Sequence, residues 1–163
     1  MNTLSKLQAK ATSVLRVLLG WLFFYAGIVK VLNPSWSAAG FLAQAKTFHG
    51  FYILLAHPLL ISIVNILNEW GLLALGVSLI LGIWVRFSSL LGALLMLLYY
   101  FASNSLPFVP NGFLVDDHII YAAALAVMFY LNAGRYYGLD GLNGKNMKSS
   151  LHTSEGRNHT QSQ

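Results

Sequence analysis

Apolar residues fill four long stretches of this chain, and most of its polar residues fall between them. The stretches cover residues 12–32, 58–83, 85–103 and 115–133. Each is close to the length a helix needs to cross a hydrocarbon layer of about 30 Å. No segment alternates apolar and polar residues as a barrel strand does. Backbone groups in lipid must then bond within their own segment, so helix is the predicted form throughout. Pro34, Pro58, Pro107 and Pro110 lie at or between stretch ends, where a missing N–H does little harm.

Residues 33–57 are too many for a tight turn and are not plainly polar. Trp36, Phe41, Phe48, Phe51 and Tyr52 predict a segment that lies at the outer interface or dips into it, with a short helix over 38–48 ended by Gly50. Residues 104–114 read as a turn, from Pro107, Pro110, Asn111 and Gly112. From Gly138 onward the chain is rich in Gly, Asn, Ser and charge, and Leu142, Met147 and Leu151 cannot build a core. The predicted organisation is therefore a domain over 1–140 and a disordered cytoplasmic tail over 141–163. Its fold class is all-α, an integral membrane four-helix bundle with an interfacial segment between helices 1 and 2. The similar Leu18-Leu19-Gly20 and Leu90-Leu91-Gly92 runs fit a parallel repeat of helix pairs, although Leu-rich spans also produce such matches by chance.

Composition supports the membrane reading. Charged residues make up 9% of the chain, against about 25% in soluble domains. The net charge of +5 comes from basic residues scattered near stretch ends, which reads as topology and excludes a nucleic-acid surface. Lys6, Lys10 and Arg16 ahead of an apolar run imitate a signal peptide, and Ser37-Ala38-Ala39 imitates its cleavage site. The run exceeds the roughly 7–15 residues of a signal core, so the segment reads as retained. Eight of the ten Lys and Arg fall on the side of the two termini. By the positive-inside rule both termini are expected in the cytoplasm, with the protein multi-pass in the inner (plasma) membrane. Arg16, Arg86 and Arg135 would gather there beside lipid head groups. The absence of cysteine excludes disulfides, iron–sulfur ligation and thiol exchange by this chain. Quinone remains compatible, whereas haem lacks paired histidines within the spans.

The chemistry centres on Glu69, the one charge in the second stretch. A carboxylate there costs about 2.5–3.5 kcal/mol on insertion scales, so it must be protonated, paired or turned to a polar cavity. Ser62, Asn65, Glu69, Leu73 and Gly76 fall on one helix face. Ala74, Ser78 and Gly82 form a small-residue seam on the other, suited to close helix contact or to a homo-oligomer. Asn65 and Glu69 also suit simple helix–helix hydrogen bonding. Asp116, Asp117 and His118 open the fourth helix, where acids cap and offset the dipole. Two acids and an imidazole within one turn add acid–base capacity. With His49 and His57 on the same side a weak divalent site is imaginable, but no spacing has zinc specificity, and the metal assignment is none. Lys30 either snorkels to the interface or pairs with Glu69 or with Asp116 and Asp117. Glu69 is expected about 15 Å below the outer end of its helix, a gap a lysine there would only shorten. Tyr99 and Tyr100 suit an aromatic belt, with one of them facing inward. Asn65, Tyr99 and Tyr121 are the candidate quinone contacts.

Five stretches resemble the DoxX family of small bacterial and archaeal membrane proteins. They are Leu15-Arg16 running through Gly20-Trp21 to Gly27-Ile28-Val29-Lys30, then Asn68-Glu69-Trp70-Gly71, Gly82-Ile83-Trp84-Val85-Arg86, Asp116-Asp117-His118-Ile119-Ile120-Tyr121, and Gly134-Arg135-Tyr136-Tyr137-Gly138. The resemblance spans about residues 15–142. It implies a four-helix membrane bundle, with links to a thiosulfate:quinone oxidoreductase subunit and to redox or disulfide-handling partners. The expected function is an accessory or quinone-interacting component of a membrane oxidoreductase system. Glu69 would be a proton relay or quinone partner, its protonation set by Lys30, Asp116 and Asp117. The alternatives are a small-solute carrier working as an oligomer, and a non-enzymatic membrane scaffold.

Overall fold

The computed structural model describes residues 3–109 and 112–141. Its elements are α1 (Thr3–Val31), α2 (Ala39–Ala43), α3 (His49–Leu55), α4 (Pro58–Leu81), α5 (Val85–Ser103), a hairpin of β1 (Phe108–Val109) and β2 (Gly112–Phe113), and α6 (Asp117–Leu131). A 3-10 turn, Ala133–Arg135, follows α6. This is the all-α membrane architecture expected. Lys6–Val31, Pro58–Leu81 and Val85–Ser103 are long and apolar enough to cross a bilayer. Helix α6 is shorter, with 15 residues, or about 22 Å. The expected tail, 141–163, lies outside the described residues apart from Gly141.

Helix ends follow local chemistry. Pro58 sits in the first turn of α4 behind His57, whose ring accepts from the Leu59 N–H. Gly82 ends α4 at φ +72°, in the left-handed region a glycine adopts freely. Helix α1 starts at Thr3, well before residue 12. The added turns carry the polar Lys6 and Lys10, which a helix end outside lipid tolerates.

Helices α1 and α4 pack antiparallel through glycines. A Cβ on Gly76 would strike the backbone of Phe24, one on Gly27 the backbone of Leu73, and one on Gly20 the backbone of Ile80. The intramolecular seam is thus Gly20, Gly27 and Gly76, not Ala74, Ser78 and Gly82. Ala74 is exposed, Gly82 is the helix cap, and the Ser78 hydroxyl bonds to Ser88 and to the Ile83 carbonyl. Each step back along α1 matches one step forward along α4, so Lys30 lies level with Trp70. Helix α1 therefore stops about half-way along α4.

Residues 32–57 fill the space above that end. The single helix expected over 38–48 is two short helices, α2 and α3. Gly50 lies inside α3, and the break falls at Phe48 with φ 54°. Ala38, Leu42, Ala45 and Tyr52 are buried with Ala102, and Trp36, Ile61, Val64 and Phe101 pack around them. The Tyr52 hydroxyl donates to the Leu98 carbonyl at 2.7 Å, and the Lys46 and Thr47 N–H groups donate to the carbonyls of Ala102 and Phe101. The segment is a plug wedged among the helices, with an outer face carrying Phe48, Phe51 and Leu54. Below it, Phe23, Leu72, Leu79, Leu125 and Met128 form the main core.

At the opposite end the expectation for Arg16 is overturned. Its side chain is only 2% exposed and donates to the carbonyls of Ala133, Tyr136 and Tyr137 at 3.0, 3.2 and 3.3 Å. It satisfies backbone acceptors beyond the end of α6 instead of meeting lipid head groups. Arg86 stacks on Phe129, 4.9 Å from the ring centroid. Residues 138–141, which composition assigned to the start of the disordered stretch, pack here. Asp140 accepts from the Trp84 and Val85 N–H groups at 3.0 and 3.2 Å and so caps α5.

Candidate functional site

Two voids differ in character. An apolar groove of about 680 Å³ runs between α4 and α5 along Trp70, Ala74, Val77, Phe87 and Leu91, with Ser78 and Ser88 as its hydroxyl groups. It offers almost nothing to orient a ligand. A cavity of about 260 Å³ lies where α1 stops beneath the plug, lined by Lys30, Trp36, Ala38, Phe41, Asn68, Tyr99 and His118. That cavity gathers polar side chains from α1, α4, α5 and α6, with aromatic walls from the plug. Convergent polar groups in an apolar setting mark a binding site more reliably than volume does.

Its geometry is specific. The Lys30 ammonium lies 5.1 Å from the Trp36 ring centroid and 5.9 Å from that of Tyr99, a cation–π arrangement with both rings. Tyr99 meets Phe41 edge-on at 5.8 Å and His118 at 6.0 Å. The Asn68 amide lies beside the Tyr99 hydroxyl, and its Oδ1 is buried without a hydrogen bond. A buried unpaired carbonyl oxygen is costly unless a ligand or water meets it.

His118 is held from behind. Asp116 Oδ2 lies 2.7 Å from His118 Nδ1 and accepts from Asn104 Nδ2, also at 2.7 Å. Asp116 Oδ1 accepts from the Ile119 N–H at 3.1 Å, capping α6. Burial of this N-cap carboxyl works to raise its pKa. The bonds from His118, Asn104 and Ile119 outweigh that effect and hold it below the usual carboxylate value. An ionised Asp116 keeps the proton on Nδ1, so Nε2 is the free nitrogen of the ring.

The candidates read from sequence separate here. Lys30, Tyr99 and His118 line the cavity, and Asp116 supports it. Glu69 is half-buried in α4 and within electrostatic range of Lys30, yet it is not on the cavity wall. The ion pairs expected for Lys30 with Glu69, Asp116 or Asp117 are not formed: among the described residues the one ion pair joins His118 and Asp116. The physical reason lies in the aromatic rings, which take up the ammonium. Nor does the expected axial gap between Lys30 and Glu69 exist, because α1 ends at that depth. Asp117 is exposed. Asn65 anchors the plug, accepting from the Ala38 N–H at 2.9 Å and donating to the Ser37 hydroxyl. Tyr121 packs against the main core. Tyr100 is the second inward-facing tyrosine, buried with its hydroxyl on the Leu114 carbonyl at 2.6 Å. Among the described residues no three His, Asp or Glu cluster as metal ligands.

Sequence reasoning missed Asn68, Trp36 and Phe41 as cavity residues. For Asn68 the glycine seam gave no signal, since Gly76 and Leu73 share a face with Glu69 and not with Asn68. The two aromatics gave none either, because their position depends on where α1 stops.

The DoxX family model matches residues 11–105 of the chain. The match takes in Lys30, Trp36, Asn68 and Tyr99 and stops short of Asp116 and His118. No curated protein and no solved structure matches the chain.

Proposed function

We propose, from the premise that this chain belongs to the DoxX family, that it is an accessory component of a membrane oxidoreductase system and holds a quinone head group in the cavity beneath the plug. The chain lies in the inner (plasma) membrane with both termini in the cytoplasm, as the distribution of eight of its ten Lys and Arg favours. The cavity then faces the opposite leaflet. Electrons reach it from a redox partner protein, since a chain without cysteine brings no thiol chemistry of its own.

The observation that carries this reading is the Lys30 ammonium, set between aromatic rings with no carboxylate on it among the described residues. Lys30, Asn68 and Tyr99 are able to donate, and no carboxylate is among the described residues lining the cavity. Such a lining suits a flat, acceptor-bearing ring. At about 260 Å³ the cavity is slightly smaller than the ~300–1,000 Å³ typical of drug-sized ligands. It fits a head group whose apolar tail continues into lipid. When bound, the quinone supplies the two-electron redox chemistry. This chain's residues orient the ring, exclude water from it and donate hydrogen bonds to its oxygens.

Protein extracted with its native lipids is expected to carry quinone. Lys30→Met and Tyr99→Phe should each lower the co-purifying amount at least tenfold, because a lost donor leaves a ring oxygen unpaired in a dry site. Asp117→Asn, at an exposed position, should leave it unchanged. Equal quinone in all four preparations, measured by extraction and chromatography, would refute the reading.

A further inference from the structure

The cavity has one wall that a binding site for an oxidised ring alone does not need. His118 is backed by Asp116, and Asp116 is in turn fixed by Asn104 and by the Ile119 N–H. Three donors on one carboxylate hold the imidazole in a single orientation and tautomer. A lysine-like point donor would serve a quinone carbonyl without that support. The arrangement suits a group that also accepts a proton.

The geometry points to His118 as the group that exchanges a proton with the ligand, so that the cavity distinguishes quinol from quinone. This inference rests on the quinone reading. In the transfer a quinol O–H bond breaks, the proton bonds to His118 Nε2, and the electron pair stays on the quinol oxygen. The Nδ1 proton stays shared with Asp116, and no electron leaves the ligand. Asp116 would stabilise the imidazolium, and the Lys30 ammonium across the cavity would hold the ligand oxygen that gave up the proton.

The surrounding charges allow this step. Helix α1 contributes Lys30. Helix α4 contributes the neutral Asn68, with Glu69 off the cavity beside Lys30, and α5 contributes the Tyr99 phenol. The plug faces His118 with the uncharged Trp36 and Phe41, and α6 itself adds only the exposed Asp117 beyond Asp116. Asp116 alone is in direct contact with the ring nitrogen.

The sign of the pH dependence follows. Neutral His118 accepts from a quinol hydroxyl, whereas imidazolium cannot, so quinol affinity falls as the ring takes up a proton. Imidazolium donates to a quinone carbonyl, so quinone affinity rises with the same protonation. The ratio of the two affinities should change by up to tenfold per pH unit.

The test measures binding of a short-chain benzoquinone, in oxidised and reduced form, to the full chain in lipid nanodiscs between about pH 5 and 8. Wild type should show the two opposite slopes. His118→Gln should lose both slopes, since an amide donates but does not titrate. Asp116→Asn should shift the midpoint toward acid, and it serves alone if His118→Gln does not fold. Slopes that persist in His118→Gln, or an unmoved midpoint in Asp116→Asn, overturn this role and leave quinone binding standing. Wild type that binds neither form overturns both.

Discussion

A Gly76→Ala protein is expected to lose about 3 kcal/mol of stability. The added Cβ would strike the backbone of Phe24, and a backbone cannot rotate away as a side-chain tip does. To make room α1 must move off α4, and the main core around Phe23 and Leu72 opens with it. Gly27→Ala meets the backbone of Leu73 and should behave alike. Gly71→Ala is the control, because a Cβ there meets nothing; it should be neutral or gain up to about 1 kcal/mol from helix propensity. At about 2–4 °C per kcal/mol for a chain of this size, the Gly76 variant should melt roughly 6–12 °C lower in detergent. An unchanged melting temperature would contradict the α1–α4 register, and with it the depth assigned to Lys30.

The second large effect is expected at Arg16. Arg16→Leu removes the donor to the carbonyls of Ala133, Tyr136 and Tyr137 and should cost about 3 kcal/mol, since buried acceptors are left without partners. Arg16→Lys should recover little, because one ammonium cannot reproduce the fork that spans three carbonyls. Thermal unfolding of both variants checks this. Equal recovery by lysine would show that charge at the bilayer surface, not the carbonyl network, is what the position provides.

The spans were legible in the sequence for a simple reason. Lipid leaves a backbone no partner but itself, so apolar length and helix coincide, and α4 and α5 fall within two residues of their expected ends. What failed was the placement of elements relative to one another. Glu69 drew attention as the costly residue of α4, yet cost does not say which way a helix is turned. The contacts of Gly27 and Gly76 with the facing helix do, and only the folded pair shows that Asn68, one position before Glu69, reaches the cavity. Lys30 was expected near the outer end of the bundle because α1 ends there in sequence. In space that end is mid-depth, since the plug replaces the upper half of a helix. Among the site residues, Lys30, Tyr99, Asp116 and His118 were recognisable as polar groups at span ends. Trp36 and Phe41 resembled ordinary interface aromatics, and nothing local separates an aromatic on lipid from one on a cavity wall. Arg16 resembled a topology signal for the same reason: the carbonyls it meets lie more than a hundred residues away.

The central claim is that the cavity under the plug, and not the larger apolar groove, receives the ring. Photolabelling in native-lipid nanodiscs with a benzoquinone carrying a photoreactive group on the ring, followed by peptide mapping, tests it most directly. Label on Trp36, Phe41 or Tyr99 that disappears in Lys30→Met is the predicted result. Label confined to Trp70, Phe87 or Leu91 in the groove, indifferent to Lys30, would contradict it.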